Sequence, residues 1–304
     1  MIYTITLNPA IDYILHVDSF KEGVNKASRA EISFGGKGIN VSVVLSRLGC
    51  ENCSLGFIAG KSGEMLLQTL EKENLTSQFV KLESGNTRIN VKILSSNQYD
   101  INTNGPDISQ NDIKKLIQSA KNAKPGDYIV MAGSSPKALG DGIYEHIAEN
   151  LKSSGAQFVF DTTGKNLLNA LKFKPFLIKP NHHELGEIFG VSIDAADEKE
   201  ITKYARMLQE KGARNVLVSR GKHGATLVSE NGGVFSESIV KGKVISNVGC
   251  GDSMVAGFLA GYIQTQDYAY ALKLGSAAGN ATAFSETLAH KDEILNILNN
   301  NFLN

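Results

Sequence analysis

Residues 246–258, SNVGCGDSMVAGF, place a carboxylate, Asp252, directly after a turn of Gly249, Cys250 and Gly251 that opens an apolar, helix-like run. A glycine turn at a helix N-terminus favours an anion, because free backbone N–H groups and the helix dipole point the same way. A carboxylate there makes sense if its role is to take a proton from a hydroxyl that attacks a phosphorus held by the turn. Phosphoryl transfer asks for N–H donors, a cation and a base beside the nucleophile, and one turn supplies the donors and the base. The same N–H groups would favour a thiolate at Cys250, with Asp252 two residues on opposing it.

A second glycine cluster, SFGGKGIN (33–40), puts Lys37 among three glycines just ahead of a helix, with Asn40 in its first turn. TLNPAIDY brings Asp12 out of a strand through a Pro turn, where a carboxylate can accept two sugar hydroxyls, although the motif taken alone reads more readily as a solvated acid. NTRIN carries Arg88 amid alternating strand residues, where an arginine is usually just solvated, but its guanidinium matches phosphate. In KPNHHEL, Asn181 and Glu184 stand three apart and can share a helix face, while the adjacent His182 and His183 should point apart. GFIAGKS (56–62) fails as a P-loop, since three residues rather than four separate Gly56 and Gly60. No G-x-G-x-x-G follows the first strand, which argues against a dinucleotide site.

Positioning these groups requires a large α/β framework. Apolar strands alternate with helices: a strand at 2–7, a helix at 39–49, strands at 127–133 and in QFVFDTTG, then a strand, a turn at Pro180 and a helix. From residue 251 three helices follow without an intervening strand. This alternation predicts a mostly parallel sheet flanked by helices, as one domain over 1–304. Residues 11–34 and 86–103 instead alternate polar and apolar, with SSNQ as a hairpin turn. They read as antiparallel strands of a small, discontinuously inserted β element, a lid or dimer surface.

Composition narrows the partners. The 304 residues include 31 Lys+Arg and 31 Asp+Glu, so the formal net charge is zero and the basic excess of a nucleic-acid binder is missing. Three cysteines make no disulfide framework, and CENC (50–53) lacks the second ligand pair that zinc needs. No apolar run approaches the roughly 20 residues of a membrane span. The N-terminus shows no signal-peptide pattern, and a cytoplasmic protein without membrane partners is expected.

Taken together, GGKGIN, VGCGDSMVAGF, NPAID, TRIN, KPN..EL and SRGKHGA resemble, in order and spacing and over essentially the whole chain, the signatures of the PfkB (ribokinase-like) carbohydrate kinases. The resemblance implies a ribokinase-like α/β fold with a β lid used for homodimerisation, ATP as phosphoryl donor and Mg²⁺. It implies phosphorylation of a small sugar phosphate, fructose 1-phosphate at its 6-hydroxyl, with tagatose 6-phosphate and fructose 6-phosphate as alternatives. A catalytically inactive sugar-phosphate-binding regulator is the reading from another class. By motif position Asp252 resembles the base and Gly249, Cys250 and Gly251 the anion hole. Asp12, Gly36, Gly38 and Asn40 resemble the sugar-hydroxyl contacts. Arg88 with Lys37, and Lys26 or Ser134, resembles the clamp on the substrate phosphate. Asn181 and Glu184 resemble the Mg²⁺-nucleotide positions, with Glu184 as the metal ligand. Ser219, Gly221 and Gly224 resemble the ATP loop, and Asn280 falls near the expected adenine pocket. Asn247, Cys250, Arg220, His223 and YDIN (99–102) depart from the family pattern.

Overall fold

The structure, a computed structural model, describes residues 1–300. β1 (Ile2–Thr6) leads into β2 (Ala10–His16) and β3 (Arg29–Gly35), followed by α1 (Lys37–Arg47), β4 (Asn52–Ile58), α2 (Gly60–Glu71) and β5 (Ser77–Lys81). Next come β6 (Arg88–Leu94), β7 (Gln98–Ile101), α3 (Gln110–Ala120), β8 (Tyr128–Ala132), α4 (Ile143–Leu151), β9 (Gln157–Asp161) and α5 (Gly164–Ala170). The chain continues through β10 (Leu177–Ile178), α6 (His182–Phe189), α7 (Glu198–Glu210), β11 (Asn215–Ser219), β12 (Ala225–Val228) and β13 (Val234–Glu237). It closes with α8 (Cys250–Thr265), α9 (Tyr268–Ala283) and α10 (Lys291–Asn300).

Nine strands form the main sheet in the order β13-β12-β11-β10-β9-β8-β1-β4-β5. Pairing is parallel from β5 through β11 and antiparallel only at the β11–β12–β13 edge. The parallel strands read as unbroken apolar runs because both of their faces are covered. Ile129, Met131, Phe158 and Phe160 pack into one core with α3, α4 and α7, while Tyr128, Val130 and Val159 pack into the other with α1, α8 and α9.

The strand order reverses at β1: the chain moves through β4 and β5 on one side, then through β8 to β11 on the other. Open α/β sheets bind ligands beyond the carboxyl ends of their strands at such a reversal. A second sheet, β3-β2-β6-β7, is built from the two excursions that leave the carboxyl ends of β1 and β5, so it stands over that edge. Its outer pairs, β2–β3 and β6–β7, are antiparallel. Its central pair, β2–β6, is parallel rather than antiparallel as the alternation suggested. Both strands start at the same edge of the main sheet and run away from it together, which period-2 patterning cannot register.

Glycine seats α1 on β1. A Cβ at Gly38 would lie 2.5 Å from Thr6 Oγ1 and 2.9 Å from the Ile5 carbonyl oxygen. Gly36, at φ 122°, caps the helix from a backbone region that side chains disfavour. Gly38→Ala is therefore expected to overpack this contact and lower stability by about 1–3 kcal/mol. Urea unfolding reads the change, and an unaltered midpoint would contradict this account of Gly38.

Candidate active site

A cleft of about 1090 Å³ opens at the β1–β8 reversal, between the carboxyl edge of the main sheet and the four-stranded sheet. Asp12, Gly36, Lys37, Asn40, Arg88, Ser134, Glu184, Gly249 and Asp252 all line it. Gly38, Cys250, Gly251, Asn181, Ser219, Gly221, Gly224 and Asn280 lie outside its lining. Lys26 is exposed on the connection between β2 and β3, also away from the cleft.

The two glycine motifs meet here. Gly249, left-handed at φ 78°, caps α8, so Asp252 falls at its third residue, and Asn40 Nδ2 donates to Asp252 Oδ2 at 2.7 Å. The N–H groups of the first helical turn have no partner within their own helix, which is the anion-binding property of such a turn. Burial pushes the Asp252 carboxyl up to about 6, the nearby Asp161 charge adds to the rise, and Lys37, Asn40 and Lys179 oppose it.

Asp161, at the end of β9, is 1% exposed and pairs with Lys179 Nζ and Lys37 Nζ, each at 3.3 Å. Burial would raise its carboxyl, but the two ammonium groups outweigh that and hold it below the usual range. Burial would likewise lower Lys37, yet Asp161, Asp252 and Glu184 raise it instead. Lys37 thus sits at the Asp252 end of the cleft, where its ammonium pairs with Asp161. Lys179 runs beneath the glycine turn, 3.1 Å from where a Gly251 Cβ would stand.

The opposite wall comes from β2 and β6. Asn90 Nδ2 donates to Asp12 Oδ1 at 2.9 Å, and Lys92 Nζ lies 3.9 Å from Asp12 Oδ2. Burial lifts the Asp12 carboxyl, with Lys92, Asn90 and Arg88 pulling it back and Asp100 adding a smaller rise. Arg88 Nε donates to the Asn8 carbonyl at 3.1 Å, and no carboxylate forms an ion pair with it among the described residues. Tyr144, fully buried, donates its hydroxyl to the carbonyls of Ala132 and Gly133, steadying the turn that presents Ser134.

The remaining expected residues continue along the carboxyl edge. Asn181 and Glu184 form a reciprocal cap on α6: Asn181 Oδ1 accepts from the Glu184 N–H and Glu184 Oε2 from the Asn181 N–H, both at 2.8 Å. Asn181 also bridges Ser219 in parallel register. Gly224, at φ 86°, must be glycine, since a Cβ would fall 1.9 Å from the Glu237 carbonyl oxygen, and Gly221 opens the same turn at φ 55°. The Asn280 side chain donates to the Ser276 carbonyl within α9, and its neighbour Gly279 abuts the Cys250 carbonyl.

Two expectations are overturned. Cys250 is no thiolate: burial and then the Asp252 charge push its thiol up to about 11, and its Sγ donates to the Ser246 carbonyl. His182 and His183 do not point apart, since their ring centroids are 3.8 Å from one another. Even so, no group of three or more His, Cys, Asp or Glu side chains is arranged to hold a metal among the described residues. Mg²⁺ is commonly held by one or two carboxylates together with waters and substrate phosphates, so a site built on Glu184 fits. Among the described residues, no helix is long and apolar enough to cross a membrane.

Asp161, Lys179, Asn90 and Lys92 were not singled out from sequence. For the first two a signal existed: QFVFD and FLIK each end an apolar strand run on a charge, at the carboxyl edge where ligands bind.

The profile of the pfkB family carbohydrate kinases matches residues 3–293. The chain is 44% identical to a 1-phosphofructokinase of Bacillus subtilis, covering 98% of this chain and 97% of the relative. It is 35% identical to a D-tagatose-1-phosphate kinase of Bacillus licheniformis, covering 95% and 94%. The crystal structure of phosphofructokinase-2 from Escherichia coli in complex with fructose-6-phosphate superposes with a TM-score of 0.90 at 25% identity, over 98% of each chain. A ribokinase from Arabidopsis thaliana, 17% identical, shares the fold at a TM-score of 0.77. With a buried acid at a glycine-turned helix start and matches along its whole length, the chain belongs to the pfkB family of carbohydrate kinases, phosphotransferases with a hydroxyl acceptor.

Proposed function

We propose that the protein transfers the γ-phosphoryl group of ATP to the 6-hydroxyl of fructose 1-phosphate. The observation that carries this reading is the pairing of a buried, raised-pKa Asp252 at the anion-binding end of α8 with an acid-free Arg88 on the other wall of the same cleft. Support for the substrate comes from the full-length similarity to a 1-phosphofructokinase. A tagatose 1-phosphate substrate is the second reading, favoured by the 35% identical relative.

In this reading Arg88 and Ser134, both in the cleft lining, take the sugar's phosphate, and Asp12 and Asn40 take ring hydroxyls. Asp252 removes the proton of the attacking hydroxyl as the new O–P bond forms and the bond to the ADP oxygen breaks. The N–H groups of Gly249 to Gly251 face the charge on the transferred group. Lys37 and Lys179 add positive charge behind them. Asn181, Ser219, Gly221, Gly224 and Asn280 form the edge along which ATP lies, a donor consistent with work in the cytoplasm. Mg²⁺, held through Glu184, would neutralise phosphate charge. The four-stranded sheet serves as the lid.

Support for a homodimer through that lid comes from its outer face. Ile32, Tyr13, Val91 and Ile101 form one register row across all four strands. Ile32, Tyr13 and Ile101 in it are 48%, 36% and 53% exposed. An apolar face on so small a sheet asks for a cover. Sedimentation should show a dimer at micromolar concentration and a monomer for Ile101→Asp; a monomeric unsubstituted protein would remove the dimer.

Asp252→Asn should lower kcat by about 10²–10⁴ while the Asn40 contact and the fold persist. The base must be ionised, so kcat/KM of the unsubstituted enzyme should rise through about pH 6 and level off above it. Stability runs the other way. A raised native carboxyl stabilises fully below its unfolded value near 3.8, and that contribution is lost as pH rises through about 6. Asp252→Asn should therefore flatten the pH dependence of unfolding in that window. Near-unchanged turnover in the variant would refute Asp252 as base.

Arg88→Ala should raise KM for fructose 1-phosphate far more than KM for ATP, since a charge-assisted contact contributes about 1.5–3 kcal/mol. Arg88→Lys should rescue only in part, for want of a bidentate fork. The kinetics are best read from coupled ADP release over a panel of ketose phosphates. A kcat/KM for tagatose 6-phosphate or fructose 6-phosphate above that for fructose 1-phosphate would displace the substrate and leave the kinase standing.

A further inference from the structure

On β6 three polar side chains follow one another on the cleft side of the strand, Arg88, Asn90 and Lys92, in register with Ala10, Asp12 and Ile14 of β2. Arg88 and Asn90 have work in the reading above, as the phosphate contact and as a donor to Asp12. Lys92 has none, yet it is a lysine only 14% exposed inside a substrate cleft. Its ammonium stands between two carboxylates, 3.9 Å from Asp12 Oδ2 and 3.5 Å from Asp100 Oδ1. Asp100 is 42% exposed and its carboxylate also accepts from Gln98 Nε2 at 3.2 Å, so solvent and Gln98 serve it without Lys92. Asp12 is far drier. One of its oxygens is held by Asn90, and its carboxylate crowds Gly35, where a Cβ would come within 2.7 Å.

We propose that Lys92 is a positioning residue for sugar recognition: it holds the Asp12 carboxylate ionised and aimed into the cleft, so that Asp12 accepts from two sugar hydroxyls instead of carrying a proton itself. The proposal rests on the reading of Asp12 as the hydroxyl contact. A buried carboxylate tends to protonate, and a protonated one loses acceptor capacity. The charges acting on Asp12 are Lys92 and Arg88 from β6 and Asp100 from β7. On the other side β3 offers only Ser33 opposite it and Gly35 against it, and the next titratable pair on that face, His16 and Glu31, is bonded to itself at 2.7 Å. Once a sugar phosphate sits on Arg88, that guanidinium is neutralised by the dianion. The same dianion would then drive a proton onto Asp12, and Lys92 is the cation left to resist it.

The test compares Lys92→Met, which keeps the apolar stem, with Lys92→Arg and Asp100→Asn, using the ketose phosphate that the unsubstituted enzyme turns over best. Lys92→Met should raise KM for the sugar phosphate about tenfold or more, with KM for ATP unchanged and kcat within about threefold. The acid limb of its sugar affinity should move to higher pH. Lys92→Arg should restore most of the affinity. Asp100→Asn should leave kcat unchanged and leave or lower the sugar KM, since it releases Lys92 to Asp12 alone. In an Asp12→Asn background Lys92→Met should add almost nothing. In ligand-free protein, ¹³C NMR of the Asp12 carboxyl should show its titration shifted upward by Lys92→Met. That measurement needs no substrate, so it decides the role of Lys92 even if no ketose 1-phosphate is turned over and the substrate reading falls. An unshifted Asp12 titration, an unchanged sugar KM, or full additivity with Asp12→Asn would each overturn the proposal. Asp100→Asn reproducing Lys92→Met would assign Lys92 to the lid's own structure and overturn it as well.

Discussion

Two buried carboxylates, Asp161 and Asp252, meet the buried Lys179 and the half-exposed Lys37 at the carboxyl edge of the main sheet, and the site depends on how these groups divide their partners. Asp161 takes both lysines, at 3.3 Å each, while Asp252 takes an amide donor from Asn40. The same burial therefore has opposite outcomes: the Asp161 carboxyl is held down and the Asp252 carboxyl is pushed up. Pairs of acids separated in this way are how one site keeps a fixed charge and a proton acceptor side by side. Either carboxylate alone would be a costly buried charge; as a set of four with matched signs they are sustainable.

Topology brings these groups together. Asp161 ends β9, Lys179 follows β10, and Lys37 begins α1, which returns from the excursion after β1. All three arrive at the carboxyl edge because parallel strands end there together. Asp252 arrives from the other direction, on a helix that follows the antiparallel edge. The Asn40–Asp252 hydrogen bond, joining residues 212 apart in sequence, is where the two routes close. The second sheet is placed by the same logic, since its strands are detours taken from the ends of β1 and β5.

Much of this was legible in the sequence, for identifiable reasons. The strand–helix alternation and the two glycine motifs are local patterns, and they led to the main sheet, to α1 and to the start of α8. The direction of β6 against β2 was not legible, because alternation gives the period of a strand and not its partner. The ion pair between Lys37 and Asp161 was not legible either, because the acid at the end of β9 was unassigned. For Cys250 the local rule pointed the wrong way. A helix N-terminus favours a thiolate, but burial and the charge two residues later prevail, and burial is a property of the packed chain.

The chain carries no net charge, so the orientation of a doubly charged sugar phosphate in the cleft has to come from local contrasts. Along its walls the cations differ in what they are already doing. Lys37 and Lys179 are committed to Asp161, and Lys92 is shared between Asp12 and Asp100. Arg88 alone among these four gives its hydrogen bond to a neutral carbonyl. In the proposed reading the helix start beside Asp252 is taken by the transferred phosphoryl group and its lysines are already paired, whereas Arg88 offers the sugar's own phosphate a guanidinium with no carboxylate partner. In the proposed reading the phosphate-bearing end of the sugar is thereby turned away from Asp252, and the hydroxyl at the other end toward it. On that reading the asymmetry of partner sharing among four cations, more than the number of positive charges, gives the cleft its direction.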